Sequence, residues 1–294
     1  MPSKFRLHLA LFSVSFFFSL NYLISKLGMR EFAPLSFAWL RVAGSAIILH
    51  FLARAEGAEL LPEDRRPMLL FAVLAVAINQ SMFLGGLSLT TVPVAAILIT
   101  TIPIFALGVA IAFGREHMTA TKAGGIALGC AGALLVVGGE SMGTSWRSFA
   151  GAAMIVINCL SYATYLVVSK PIMARLSART VVARMFRYGA ILLLPISAWS
   201  LAHEQWSAIH PRAWLALALV IAGPTVAAYL INAWSLRYAE SSVVAAYTYL
   251  QPVLATTLGA IFLHEHIRPT LLAAGAMIFA GVWLAGRGTA AAST

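Results

Sequence analysis

The sequence predicts an all-α integral membrane protein with ten transmembrane helices, built as an inverted 5+5 repeat. Three observations predict it. The 294 residues are 61% hydrophobic and only 10% charged, more apolar surface than one soluble core of this length could bury. Ten apolar runs of about 20 residues occur, the length a helix needs to cross a hydrocarbon core of roughly 30 Å. The third observation is internal repetition: adding 149 to Pro103, Phe113, Glu116 and His117 gives Pro252, Phe262, Glu265 and His266. At the same offset Thr121, Ala127, Ala131, Gly132 and Leu135 fall on Thr270, Ala276, Ala280, Gly281 and Leu284.

The runs lie near residues 7–27, 34–53, 67–87, 92–114, 121–139, 149–169, 181–201, 211–235, 240–263 and 270–286. Their connections are too short for a soluble domain, so the chain reads as one membrane domain made of two units, residues 1–140 and 141–294. Five spans per unit is an odd number, so the second unit must enter the bilayer from the opposite face. Inverted repeats of this kind place a substrate site where the copies meet near the midplane.

The net charge of +10 would suggest nucleic acid in a soluble protein, but its distribution suggests a membrane. With the N-terminus cytoplasmic, fourteen Lys and Arg residues fall inside and five outside, Arg41 lying within a span. Both termini are therefore expected in the cytoplasm, and no nucleic-acid partner is expected. Lys4 and Arg6 precede an apolar run without a small-residue cleavage site, which suits a retained first helix. Cys130 and Cys159 fall inside spans and read as packing residues.

Span 1 carries Phe18, Asn21, Tyr22 and Ser25 on one stripe, with Lys26 at its outer end. This stripe either walls a cavity, or Asn21 bonds a neighbouring helix while Lys26 snorkels to the headgroups. Span 2 opens at Pro34 and holds Arg41 two turns inside. A central arginine costs about 2.5–3.5 kcal/mol on insertion scales, so it faces protein or water. No neighbouring span offers a carboxylate, leaving Arg41 to meet an anionic substrate group or to be held by backbone carbonyls. The charged connection from Arg54 to Pro67 reads as a solvated surface, and His50 as interfacial packing.

Span 3 brings Asn79 and Gln80 to mid-depth, and the repeat maps Gln80 and Phe83 onto Tyr229 and Asn232 of span 8. Pro103 and Pro252 each remove a helical hydrogen bond, making them hinge candidates or ordinary kinks. Glu116 and Glu265 read first as structural ends of spans 4 and 9, with proton carriage the alternative for Glu116 beside His117. Spans 5 and 10 repeat small residues four apart, Gly125 with Gly129 and Ala276 with Ala280, which supports packing within the chain or a homodimer.

Span 6 repeats the theme of span 1: Asn158, Tyr162 and Tyr165 share a stripe, and Ser169-Lys170 echo Ser25-Lys26 at an offset of 144. Arg184 and Arg187 of span 7 are counterparts of Arg41 in kind. Span 9 adds Tyr247 and Gln251 one turn apart, with Tyr249 on another face. Polar-edged rings and amides of this sort suit an amphipathic solute.

Lys26, the Pro34-to-Arg41 segment PLSFAWLR, the small-residue stretches before Pro103 and Pro252, and the Glu116 and Glu265 ends followed by Gly-rich spans resemble the drug/metabolite transporter superfamily. The likeness is to its ten-helix EamA-like branch and covers essentially the whole chain. It implies a secondary transporter of the cytoplasmic membrane, most often an exporter, moving small polar or amphipathic metabolites such as amino acids. No cofactor or metal is implied. The candidate substrate-binding residues are Asn21, Tyr22, Arg41, Asn79, Gln80, Asn158, Tyr162, Tyr165, Tyr229, Asn232, Tyr247 and Gln251. A flippase for a lipid-linked precursor is the alternative. A membrane enzyme is a weaker one, since the histidines scatter among span ends and loops rather than converging.

Overall fold

The computed structural model describes residues 4–54, 62–143, 146–238, 247, 250–265 and 269–290. Among these residues the secondary structure is entirely helical, arranged as ten apolar helices. They are α1 (Lys4–Gly28), α2 (Pro34–Arg54), α3 (Arg65–Leu89), α4 (Val92–Ala112) and α5 (Ala120–Gly143), then α6 (Trp146–Arg175), α7 (Ala178–Ala202), α8 (Pro211–Ser235), α9 (Leu250–Leu263) and α10 (Pro269–Ala290). Seven are long and apolar enough to cross a membrane, while α5, α9 and α10 contribute shorter apolar stretches. Tyr249, His266 and the acidic residues Glu56 and Glu59 lie outside the described residues.

Helix ends follow their local chemistry. Prolines open α2 and α8 at Pro34 and Pro211, where a missing N–H leaves no helical bond unmade. The Ser177 side chain accepts from the Thr180 amide at 3.2 Å to cap α7. Just before α3, a short 3₁₀ turn at Pro62–Asp64 departs from the expected solvated surface. Asp64 is buried and accepts from Arg175 Nη2 at 2.8 Å, tying the start of α3 to the end of α6.

The helices pair in a pattern that maps onto itself when the two halves are exchanged. α2 packs on α7, α5 on α10 and α4 on α9, while α3 and α4 pack on α6 as α8 and α9 pack on α1. The α5–α10 contact is internal and made by glycines. A Cβ on Gly281 would lie 2.6 Å from the Gly125 carbonyl oxygen, and one on Gly132 would lie 2.9 Å from that of Ala274. Ala276 and Ala280, expected on this seam, face outward instead; Ala274, Ile278 and Gly281 form it.

Two helices are widened at matching places. α3 adopts π geometry over Val73–Ile78 and α8 over Ile221–Ala227, and adding 149 to residues 73–78 gives 222–227. A π turn displaces a carbonyl from the regular ladder, and side chains collect such groups. Ser161 Oγ donates to the Leu74 carbonyl at 2.7 Å, and Thr225 Oγ1 donates to the Val220 carbonyl at 2.8 Å. In α4 the helix breaks between Ile99 and Ile102, ahead of Pro103. There the Thr100 and Thr101 hydroxyls donate to the Ile97 and Leu98 carbonyls at 2.6 and 2.7 Å.

Candidate substrate site

The two π segments deliver their following residues to the middle of the bundle. Asn79 and Gln80 come directly after the first, and Tyr229 comes just after the second. Gln80 Nε2 donates to Tyr229 Oη at 3.2 Å and to Asn79 Oδ1 at 3.1 Å, joining the two halves through side chains 149 positions apart. From α6, Asn158 Nδ2 donates to the Asn79 backbone carbonyl at 2.9 Å. These donors fix the orientation of both amides and turn their oxygens away, and neither Gln80 Oε1 nor Asn158 Oδ1 has a hydrogen-bond partner.

Aromatic rings enclose this core. Phe186 and Phe18 meet Tyr229 edge-on, with centroids 5.1 and 6.0 Å away. Tyr162 and Tyr165 lie 5.7 Å apart, and Tyr165 meets Phe71 edge-on at 5.6 Å. Tyr22 is buried edge-on against Phe83 at 5.4 Å. All are bulky, apolar-walled groups that exclude water from the amides between them.

Arg41 enters from α2 and is buried. Its Nε donates to Thr225 Oγ1 at 2.7 Å, and the Thr225 hydroxyl passes its own proton to the Val220 carbonyl displaced by the π turn. Its Nη1 has no hydrogen-bond partner, and among the described residues no carboxylate pairs with it. Arg41 and Tyr229 lie within electrostatic reach of each other, and Tyr229 Oη is the group that accepts from the Gln80 amide. An uncompensated buried guanidinium is costly, and its charge is of the sign that an anion would offset.

A cavity of about 610 Å³ opens where α1 and α7 begin and α8 ends. Arg6, Ser13, Arg179 and Trp234 contribute to its wall, together with Leu230 and Ile231, which directly follow Tyr229. The opposite end of α1 is tied to its neighbours. Lys26 Nζ donates to Glu265 Oε1 at 2.5 Å and to the Thr90 carbonyl at 2.7 Å, while Glu265 Oε2 accepts the Val92 amide at 2.8 Å. One carboxylate thus joins the end of α1, the start of α4 and the end of α9.

The EamA-like transporter family model matches the chain twice, over residues 6–138 and 149–287. The chain belongs to the EamA-like transporter family. It is 26% identical to an uncharacterized transporter of Archaeoglobus fulgidus, covering 97% of this chain and 98% of that one. It is 28% identical to the uncharacterized inner membrane transporter YedA of Escherichia coli strain K12, covering 93% and 88%. A protein of Streptantibioticus cattleyicolor named "Probable terminal-alkyne amino-acid exporter" is 31% identical over 66% of this chain and 64% of its own length. A solved crystal structure superposes with a TM-score of 0.66 at 17% identity, covering 96% of this chain and 98% of that one, a likeness of fold.

Within this EamA-like transporter, Arg41, Asn79, Gln80, Asn158, Tyr162, Tyr165 and Tyr229 gather in the middle of the bundle, with Tyr22 one layer toward Lys26. Asn21 is buried, but its Oδ1 accepts from Ser25 Oγ on the same helix at 3.0 Å. Asn232 is half-buried on α8, next to cavity-lining Ile231. Gln251 is buried against α1, where its backbone carbonyl accepts from Ser19. Tyr247 points elsewhere: its hydroxyl bonds His8 Nδ1 at 2.7 Å, toward the α1 start.

The sequence reading missed Thr225, whose only signal was its place after Pro224 in a span that also held Tyr229. Lys26 neither snorkels nor lines the site; it is ion-paired with Glu265. On α7 Gly189 packs against Val76 of the first π segment; on α2 Gly44 packs against Ile221 of the second and Arg41 donates to Thr225, and Val76 and Thr225 are 149 apart.

Proposed function

We propose that this transporter works by alternating access between two inverted five-helix units, residues 1–140 and 141–294, and exports small zwitterionic or amphipathic metabolites such as amino acids. Export is across the cytoplasmic membrane, with both termini in the cytoplasm. The observation that carries the reading is the buried Arg41, held at Nε and without a protein partner at Nη1. A carboxylate completes it, and the partnerless oxygens of Gln80 and Asn158 suit an ammonium group of the same solute. The tyrosines and phenylalanines around them suit an apolar side chain.

The exchange-symmetric helix pairing and the double family match support the paired units. Relatives named as an inner membrane transporter and as an amino-acid exporter support the location and the direction. Aspartate and glutamate side chains that the structure describes lie at helix ends, away from mid-depth, which favours exchange or facilitated export over coupling through a central carboxylate.

The test is thermal stabilisation of the purified protein, followed by flux in proteoliposomes. Amino acids are compared with their amides, the corresponding amines and lipid-phosphate headgroups. Carboxylate-bearing solutes are expected to stabilise and exchange, and Arg41→Ala that still inserts is expected to lose both effects. Equal responses from the amines, or an unchanged response in Arg41→Ala, would overturn the reading; stabilisation by headgroups alone would point to a flippase.

A further inference from the structure

Glu265 and Glu116 are 149 apart and end matching helices, yet they are bonded differently. At one end of the bundle Glu265 holds Lys26 and the Val92 amide, and one turn inside it Tyr22 lies against Phe83. At the other end, the counterpart of Lys26 is Lys170, which is exposed. Glu116 instead accepts from Lys122 Nζ at 2.8 Å, and the Lys122 ammonium also reaches the His117 carbonyl at 3.3 Å. Lys122 is buried, and its place in the second copy is taken by Leu271, which offers Glu265 no such alternative.

Glu116 lies beside the stretch of α6 that leads to Lys170. Arg115, next to Glu116, donates to the Val167 carbonyl, one turn before Lys170 on α6. The cavity described above lies at the end where this second pairing is unmade, opposite the end that holds the made pairing. The sequence counterpart of Val92 is Ser241, outside the described residues.

We propose that these are two alternating latches: Glu265 with Lys26 closes one end of the bundle, and Glu116 with Lys170 closes the other, Glu116 resting on Lys122 while its end is open. The proposal rests on the alternating-access reading and adds the residues that commit each state. Each carboxylate exchanges one ammonium partner for another or for water, so the charge count at each end is unchanged through the cycle. Because Glu265 also accepts the Val92 amide, opening its end frees the start of α4 as well as the end of α1.

The test uses the full-length protein in membrane vesicles, with Cys130 and Cys159 replaced by alanine and Phe83→Cys as reporter beneath the Lys26 end. The readout is the labelling rate by a membrane-impermeant maleimide applied to that face, with no substrate present. Glu265→Gln and Lys26→Gln are each expected to raise the rate by about tenfold, the order set by one partly buried ion pair. Lys122→Gln is expected to raise it too, by releasing Glu116 to Lys170. Glu116→Gln and Lys170→Gln are expected to lower it.

Opposite signs at opposite ends are what a merely structural ion pair would not give. Unchanged rates in both Glu265→Gln and Lys26→Gln, or a rise in Glu116→Gln, would overturn the proposal. These two substitutions remove one bond from opposite partners, so a variant that fails to insert leaves the other to decide. Because labelling needs no ligand, the latches can fail while Arg41 still binds carboxylates, and the reverse.

Discussion

The contact of α2 with α8 and that of α7 with α3 are built alike, a glycine against a π segment in each, and they differ by one charge. In both, a helix near the start of one half lies against a π segment of the other. At one, Gly44 packs on Ile221 and Arg41 donates to Thr225; at the other, Gly189 packs so closely on Val76 that an added Cβ would lie 2.4 Å from its Cγ1. Of the two contacts, the α2 one carries a guanidinium hydrogen-bonded to its π segment. A ligand anchored there is held off-centre, on the α2–α8 side, although the scaffold around it is close to symmetric. The widened turn explains why the charge is tolerated: it displaces a carbonyl that accepts the threonine proton, which leaves the threonine oxygen for the guanidinium.

The comparison breaks most severely if a second guanidinium is placed on the α7 side. Gly189→Arg has neither space nor an acceptor on Val76, and burying it uncompensated costs several kcal/mol. The expected outcome is a fall of about tenfold or more in folded, membrane-inserted protein, read by size-exclusion of a fluorescent fusion. Normal recovery would mean that the two contacts are not equivalent.

A smaller effect is expected from Thr225→Val, which keeps the shape and leaves Arg41 Nε without its acceptor. An unmet buried donor costs about 1–3 kcal/mol, more when charged. Thermal unfolding should begin at lower temperature, and carboxylate affinity should weaken by about tenfold in the same titration. Unchanged affinity would show that Arg41 needs no positioning.

The smallest effect belongs to the mirror change. Val76→Thr adds a hydroxyl that returns its proton to its own helix, and stability and transport should stay within about 0.5 kcal/mol of the parent. An effect equal to that of Thr225→Val would assign the asymmetry to the π turn rather than to the arginine.

Much of this arrangement was legible in the residues. The 149-residue offset placed Gln80 opposite Tyr229, and the structure joins them by a hydrogen bond. Arg41 in a span lacking carboxylates marked a cation that is buried in the central layer. The helix positions followed from run length, to within about six residues, apart from the start of span 9 near residue 240, which lies outside the described residues. What stayed hidden depends on tertiary contact or on fine backbone geometry. Lys26 and Glu265 are 239 residues apart, and no local pattern pairs them. The π segment of α3 contains no proline to announce it, whereas that of α8 holds Pro224. Tyr247 and Gln251 share a helical face by spacing, yet the Tyr247 hydroxyl reaches back to His8 along the length of its side chain. The alanines of α10 matched a small-residue spacing and face outward, because spacing identifies a stripe without saying which side the neighbour occupies.

Where α5 meets α10, main chain touches main chain through Gly125, Gly129 and Gly281, with no rotamer between them able to yield. Such a seam neither compresses nor spreads cheaply, so any rocking of one half against the other must turn about it as a door turns on its pins. The clearance that motion creates therefore grows with distance from those glycines, and it is greatest on the far side of the bundle.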